Sequence, residues 1–439
     1  MSVSARSLLA ALAELTGRDR VSDDPAVVAA AGVDGVVPRF VASPATADGV
    51  AGVLALAHDE GLAVLVRGSG SSLDLGRPPA RIDLVLDLRR LDRVLEDHPE
   101  DLTITVEAGV SAGALEARLG SRRQWLPVDP PGWRARTLGG MAATGASGPL
   151  HARYGGMRDL LLGVRFVQAD GVVTWGGARV VKSVTGYDVP KLMVGSLGTL
   201  GVIVEMTLRL HPTPDREATW IVPLGSVDAA AAFVARLLDS TVQPIRVEYL
   251  GESAQRACRA GAAPAAVAVA LGSVEDSLRE QGSQIEQLAR RAGGGAVVAP
   301  EGFWQRYDQA CAPGEGEVAL RIGTLTSRLA DTVRAVERGF GALGEGTASL
   351  VTGCAAVGTL HVVVTGGAHE AVARVVEDLR AFVSDFGGHV VIQGGPRALR
   401  ERIDPWGPID AETFALMRAL KQEFDPTGVL NPGRFVGGL

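Results

Sequence analysis

The chain has 439 residues, 46% of them hydrophobic and 21% charged, with a formal net charge of −7. That length exceeds one ordinary domain, so two or three are expected, and the apolar content excludes a disordered chain. The acidic balance, without a dense Lys/Arg run, argues against a nucleic-acid partner, and three scattered cysteines, Cys258, Cys311 and Cys354, give no disulfide framework and fit a reducing cytosol.

In chain order, the N-terminal SARSLLAALAEL is interrupted by Glu14 and repeats Leu8, Leu12 and Leu15 at helical spacing, which predicts a docked amphipathic helix rather than a signal peptide. Ser43-Pro44 predicts a helix through about Glu60, with Ser43 as N-cap and Pro44 at the first helical position. LAVLV (62–66) and DLVLD (83–87) read as buried strands, and TITVEAG (103–109) as a half-exposed strand before a short helix ending near Leu119. LLLGVRFV (160–167) and VVTW (172–175) pair through the Asp170-Gly171 turn. GVIVEMTLRL (201–210) is a further strand, closed by the two prolines of His211-Pro-Thr-Pro214.

Beyond that boundary the order strand, helix, strand, strand, helix, strand occurs twice, at 219–299 and 317–394. This predicts a duplicated βαββαβ unit, forming an antiparallel sheet with its helices on one face. An amphipathic helix (AETFALMRALKQEF) and the turn-rich DPTGVLNPGRF complete the chain. No apolar run approaches the roughly 18 residues that a membrane span requires.

Several catalytic patterns fail on single residues. GGARVVKS (176–183) has Val181 where a P-loop needs its second glycine, and His369-Glu370 is followed by Ala373 where a zinc protease needs a second histidine. The cysteines form no CxxC, so a structural zinc is not expected. RGSGSSL follows a strand as a dinucleotide fingerprint would, yet Asp74, Gly76 and Pro78-Pro79 break any helix after it.

Three glycine-rich segments survive. Glycines number 56, about 13% of the chain against a usual share of about 7%. In RGSGSS (67–72) small residues let consecutive backbone N–H groups converge into an anion nest, with serine hydroxyls as further donors. DPPGWRARTLGGMAATGASG (129–148) offers a short helix capped by Thr137 and a wall of small residues. VTGYDVPKLMVGSLGTLGVIVEM (184–206) spaces Gly195, Gly198 and Gly201 by three. Any one of these could be a set of tight turns. Together they point to a diphosphate held between loops.

Arg67-Gly-Ser-Gly-Ser, Thr137-Leu-Gly-Gly-Met, Gly186-Tyr-Asp, Gly195-Ser-Leu-Gly-Thr-Leu-Gly-Val-Ile and Asp425-Pro-Thr-Gly-Val-Leu-Asn-Pro-Gly-Arg, in that order, cover nearly the whole chain. They resemble the FAD-linked oxidases of the vanillyl-alcohol oxidase/PCMH type, and most of all the smaller FAD-binding subunit of bacterial three-subunit glycolate oxidase. The resemblance implies an α+β fold. A PCMH-type FAD-binding domain in two parts would occupy 1–215, an antiparallel-sheet cap of two βαββαβ units 216–398, and a C-terminal segment returning to the FAD domain 399–439. It assigns cofactor contacts to Arg67, Gly68, Ser69, Gly70, Ser71 and Ser72, to Pro131, Thr137, Gly139, Gly140, Thr144, Gly145 and Gly148, and to Gly201, Ile203 and Asn431. Relatives that attach flavin covalently often carry a histidine in the first loop. Serines stand there here, which implies non-covalent FAD.

Catalytic 2-hydroxy-acid members carry His-Ala-Gly-Asp-Gly-Asn-Leu-His in the cap. This chain reads Cys354-Ala-Ala-Val-Gly-Thr-Leu-His361, and the second element, Glu-His-Gly, is missing. The set no longer supplies a hard divalent cation with ligands, so no metal is expected. The plainer reading of His361 is a strand histidine beside a buried sheet face, and of Cys354 a small core residue. Lys182, Tyr187 and Asp188 stand where the family keeps Lys-Asn-Val-x-Gly-Tyr-Asp, with Ser183 replacing the asparagine. Tyr187 and His361 are therefore the catalytic candidates.

Three functions compete: an FAD-dependent oxidoreductase subunit for a 2-hydroxy acid such as glycolate or D-lactate, an FAD-binding structural or electron-relay subunit with catalysis in a paralogous partner, and a stand-alone alcohol oxidase. The first two imply a paralogous FAD subunit and an iron–sulfur subunit, since this chain has no cysteine array for a cluster. The implied location is the cytoplasm, including its membrane face through a partner.

Overall fold

The computed structural model describes residues 5–178 and 187–439. Its first sheet has the order β1-β2-β4-β3, from β1 (Val21–Ser22), β2 (Phe40–Ala42), β3 (Val64–Arg67) and β4 (Leu84–Asp87). β2, β4 and β3 are parallel, and their near-continuous apolar runs suit a sheet covered on both faces. The helix Ala47–Asp59 links β2 to β3. Its N-cap is Thr46, whose hydroxyl accepts the Gly49 amide at 3.1 Å. Ser43-Pro44 therefore does not open the helix. Pro44 instead packs ahead of it, against Gly49.

The second sheet is antiparallel, in the order β5-β6-β10-β8-β9: β5 (Val94–His98), β6 (Thr103–Glu107), β8 (Leu161–Val167), β9 (Val173–Gly177) and β10 (Val202–Arg209). β6 was expected to be half-exposed, yet all five residues are buried, because it lies between β5 and β10. Its polar side chains find partners instead of water: the Thr105 and Thr207 hydroxyls lie 3.0 Å apart, and Arg93 Nη2 donates to Glu107 at 2.7 Å. β7 (Gln124–Trp125) and β11 (His211–Pro212) form a short separate pair.

The cap sheet has eight antiparallel strands: β12 (Arg216–Leu224), β13 (Arg246–Leu250), β14 (Ala265–Ser273), β15 (Val297–Val298), β16 (Val318–Gly323), β17 (Ala348–Cys354), β18 (Thr359–Thr365) and β19 (His389–Gly394). Their order, β15-β12-β14-β13-β17-β18-β16-β19, is a palindrome. Each unit places its strands as fourth, first, third and second, and the two units join through their second strands, β13 and β17. The predicted duplication is thus present as topology.

Four helices, Val227–Leu238, Glu275–Arg291, Leu329–Gly341 and His369–Ser384, cover one face and bury Val247, Tyr249, Leu320, Val362 and Ile392. Two helices that the sequence pattern did not predict, Glu252–Ala257 and Phe303–Cys311, cover part of the other face over Ile221, Leu250, Ala266 and Ala268. The helices are therefore not confined to one face; alanines at 266 and 268 leave room for the second layer. The rest of that face rests on the first half of the chain. Val391 packs on Leu75 and Leu197, and Arg246 donates to Asp129 at 3.1 Å.

The helix Ala411–Phe424 returns to the first half and is held there through Lys421, the only residue it buries. Lys421 Nζ donates to Thr199 O at 2.9 Å, Leu430 O at 3.1 Å and Asp425 Oδ2 at 2.5 Å, while Asp425 accepts the Val429 and Leu430 amides. Truncating Lys421 leaves a buried carboxylate unpaired. Lys421→Ala is expected to lower stability by about 3–5 kcal/mol in urea denaturation, and Lys421→Ala/Asp425→Ala by less than Lys421→Ala alone.

Candidate functional site

The loop after β3 meets the 137–144 and 197–203 segments around a cleft of about 770 Å3. The walls approach so closely that side chains are excluded. A Cβ on Gly68 would lie 2.1 Å from Thr137 Oγ1, one on Gly139 2.6 Å from Ala108 Cβ, and one on Gly201 2.6 Å from the Phe166 ring. Gly70 has φ +84, open to glycine at no steric cost. The backbone N–H groups of Gly68, Ser69, Gly70, Ser71 and Ser72 have no hydrogen-bond partner among the described residues. Such a row of unanswered donors is an anion site.

Arg67 is a lock rather than a free charge. Its Nη2 donates to Asp87 Oδ2 at 2.8 Å, and Arg89 grips the same carboxylate at 2.7 Å. Burial pushes Asp87 up, but the hydrogen bonds from Arg89 and Arg67 outweigh it and hold the carboxyl below its usual range. Asn431 ties the tail to two walls: its Oδ1 accepts the Val66 amide at 3.2 Å and its Nδ2 donates to Leu197 O at 2.7 Å.

Thirteen of the sixteen residues expected at the cofactor line this cleft; Pro131, Gly145 and Gly148 do not. Gly145 ends the helix Leu138–Thr144 at φ +60, and a Cβ on Gly148 would strike Asp129 O at 1.9 Å. Pro131 lines a different cleft. Two cations that the sequence reading missed are present. Arg136 Nη1 donates to Ser72 Oγ at 2.9 Å and its Nε to Pro131 O at 2.8 Å. Arg434, pushed down to about 10 by burial, donates to the carbonyls of Leu73, Leu75 and Arg77. The available signal was position: Arg136 precedes the capping Thr137, and Arg434 ends the Asn-Pro-Gly-Arg motif.

The face of the cap sheet opposite its four long helices carries a polar row fixed by strand register, which begins under the helix Phe303–Cys311, where Thr352 Oγ1 lies 3.4 Å from Cys311 Sγ. Thr352 on β17 lies opposite His361 on β18, His361 opposite Arg321 on β16, and Arg321 opposite Val391 on β19. Alternation settles the face, since their neighbours Val351, Leu360, Leu320 and Ile322 all enter the helix-covered core. Val391, opposite Arg321, packs against Leu197, a residue of the glycine-lined cleft, while Thr352, His361 and Arg321 do not themselves line that cleft. His361 and Arg321 remain partly exposed. Burial, and then Arg321, push the His361 imidazole down to about 4, so it is neutral at physiological pH. Arg321 Nε is buried without a hydrogen-bond partner among the described residues. His389 lies across Gly323, where a Cβ would meet its imidazole at 2.3 Å.

His361 is thus a strand histidine, as read, but on the face turned to the first half of the chain. Tyr187 is 95% exposed and lines none of the described clefts. Asp188 caps the short helix Val189–Met193 by accepting the Lys191 amide. Lys182, Ser183 and Gly186 lie outside the described residues. Cys354 is buried opposite Glu248.

Glu248 is itself fully enclosed, with Tyr307 donating to its Oε2. Burial pushes its carboxyl up to about 8, against that hydrogen bond. The folded state therefore keeps a proton that the unfolded chain releases from about pH 4.5, and stability falls as pH rises from there through about 8. In urea denaturation at pH 5 and pH 9, wild type is expected to lose stability relative to Glu248→Gln at the higher pH.

Residues 38–177 match the family described as FAD binding domain, and residues 213–435 that described as FAD linked oxidases, C-terminal domain. The chain belongs to the FAD-linked oxidases of the vanillyl-alcohol oxidase/PCMH type, and FAD is its cofactor. It is 30% identical to the probable mitochondrial D-lactate dehydrogenase of Danio rerio, over 96% of this chain and 90% of the relative. It is 28% identical to glycolate oxidase subunit GlcE of Escherichia coli K12, over 86% of this chain and 93% of the relative. Its fold matches p-cresol methylhydroxylase with a TM-score of 0.77 at 15% identity, over 98% of this chain and 96% of that one.

The residues present fit the cofactor: unanswered amides, close-packed glycines and two arginines suit a diphosphate. Gly68→Ala forces the two walls apart and is expected to purify with less than a tenth of the wild-type FAD per chain, measured by flavin absorbance after denaturation.

Proposed function

We propose that the chain oxidises a small 2-hydroxy acid, as the FAD-binding subunit of a glycolate-oxidase-type enzyme. Residues 1–215 and 399–439 hold the cofactor, and residues 216–398 cover it. The observation that carries this reading is the row on the cap sheet, where Arg321 lies opposite His361 and opposite Val391, which packs on Leu197 in the wall of the cofactor cleft. Arg321 binds the substrate carboxylate through charge-assisted hydrogen bonds. His361 is the group assigned to take the proton of the 2-hydroxyl, burial keeping it neutral in the free protein. FAD, when bound, supplies the hydride acceptor.

The cofactor is held without a covalent bond, because no His, Cys or Tyr lines its cleft among the described residues. Electrons leave through partners, a paralogous FAD subunit and an iron–sulfur subunit, in the cytoplasm or at its membrane face. No helix among the described residues is long and apolar enough to cross a membrane.

A second reading, an FAD-holding relay or structural subunit, is favoured by Cys354, Val357 and Thr359, which stand where catalytic members keep histidine, aspartate and asparagine. The two separate in an anaerobic absorbance titration of the FAD-loaded chain with glycolate, D-lactate and D-2-hydroxyglutarate. Bleaching by one of the acids is expected, with Arg321→Met raising its half-saturating concentration about 10- to 100-fold and leaving the unliganded flavin spectrum unchanged. Flavin that none of the three acids reduces would assign catalysis to the partner.

A further inference from the structure

The far end of the cofactor loop is held from the cap. Arg400 lies in the helix Arg397–Arg402, which follows β19 and is fixed in the cap core through Leu399 and Ile403. Its guanidinium points out of that core to the first half of the chain. Nη2 donates to Asp34 Oδ1, and Nη1 is shared between Asp34 Oδ2 at 3.1 Å and Gly76 O at 3.2 Å. Nε donates to Gly395 O at 2.9 Å, which fixes the plane of the fork. Arg397 Nη1 donates to the Asp34 carbonyl from the same helix. The Arg400 side chain is 1% exposed and that of Asp34 10%, so water does not rescue either partner if the other is lost.

Gly76 ends the loop that begins at Arg67, and the loop is pinned at both ends. Arg67 grips Asp87 at the start. At the end Arg434 holds the carbonyls of Leu73, Leu75 and Arg77, and Arg400 that of Gly76. The unanswered amides from Gly68 to Ser72 lie between these pins. The cap meets the same loop a second time at Gly394, the last residue of β19, where a Cβ would stand 2.3 Å from Asp74 Oδ2. Arg400, Asp34 and Gly76 do not themselves line the cofactor cleft.

We infer that Arg400 and Asp34 are positioning residues for FAD, and that the cap, through them, sets the shape of the loop that receives the diphosphate. Consecutive amides converge on an anion only while the loop keeps one curvature. A loop released at one end must lose that freedom when the cofactor binds, and affinity falls by the same amount. The fork of a guanidinium is what the place demands, since one side chain spans a carboxylate on one segment and a carbonyl on another. The inference rests on the cofactor cleft and not on which acid is oxidised.

The test follows FAD release by flavin fluorescence after dilution of the FAD-loaded full chain, beside the melting temperature of the same variants stripped of FAD. Arg400→Met and Asp34→Asn are each expected to release FAD at least tenfold faster than wild type. Asparagine is chosen because it tolerates the left-handed backbone at 34, where φ is +54. In Arg400→Met/Asp34→Asn no carboxylate is left buried and unpaired, so the melting temperature rises above that of Arg400→Met while the fast release persists. Arg402→Met, at an exposed position of the same helix, should release FAD at the wild-type rate. Release from Arg400→Met within threefold of wild type, or release that returns to the wild-type rate as stability recovers in the double variant, would overturn the proposal. None of these results depends on whether a hydroxy acid reduces the flavin.

Discussion

The contact between Gly68 and Thr137 sets the form of the cofactor cleft. With no side chain at 68, the loop leaving β3 lies against the cap of the helix Leu138–Thr144, and a single Cβ would stand 2.1 Å from the Thr137 hydroxyl. That approach brings the two walls together and leaves the amides from Gly68 to Ser72 unanswered. The same restriction recurs at Gly139 against Ala108 and Gly201 against Phe166, so the cleft is a place where backbone, rather than side chain, is the recognition surface. Unsatisfied backbone donors near the interior are costly, which makes an anionic group such as a diphosphate their natural partner.

The tail completes what the loops begin. Asn431 holds a left-handed backbone at φ 43 and connects β3 to the loop at Leu197, while Arg434 gathers the carbonyls of the loop that its chain neighbours leave free. Lys421 and Asp425 fasten this tail from beneath. The cap contributes a different chemistry. Its palindromic sheet puts four long helices on one face, while the other, covered in part by Glu252–Ala257 and Phe303–Cys311, carries Thr352 against Cys311 and then His361 and Arg321 in register.

Much of this was legible in the sequence wherever the constraint is local. Glycine clusters mark close backbone approach, and the repeated βαββαβ order anticipated a duplication that the strand order displays. What escaped reading depends on distant partners. Arg136 and Arg434 look like ordinary arginines until Ser72 and the loop carbonyls surround them. β6 alternates as a half-exposed strand would, yet Thr207 and Arg93 answer its polar side chains. The helix Glu252–Ala257 was missed for a related reason, since its apolar residues are two alanines explained only by the sheet face that they cover, whereas Phe303, Tyr307 and Cys311 repeat at helical spacing and were a signal open to reading. For His361, parity gave the strand but not which face meets the cleft. Register with Val391 supplied that.

The most direct measurement is a crystal structure of the chain grown with FAD and refined without restraint on the cofactor's position. The account predicts diphosphate oxygens within hydrogen-bond distance of the Ser69 to Ser72 amides, with Arg136 and Arg434 in the same cleft. A diphosphate bound elsewhere, or one whose oxygens leave those amides unpaired, would contradict it.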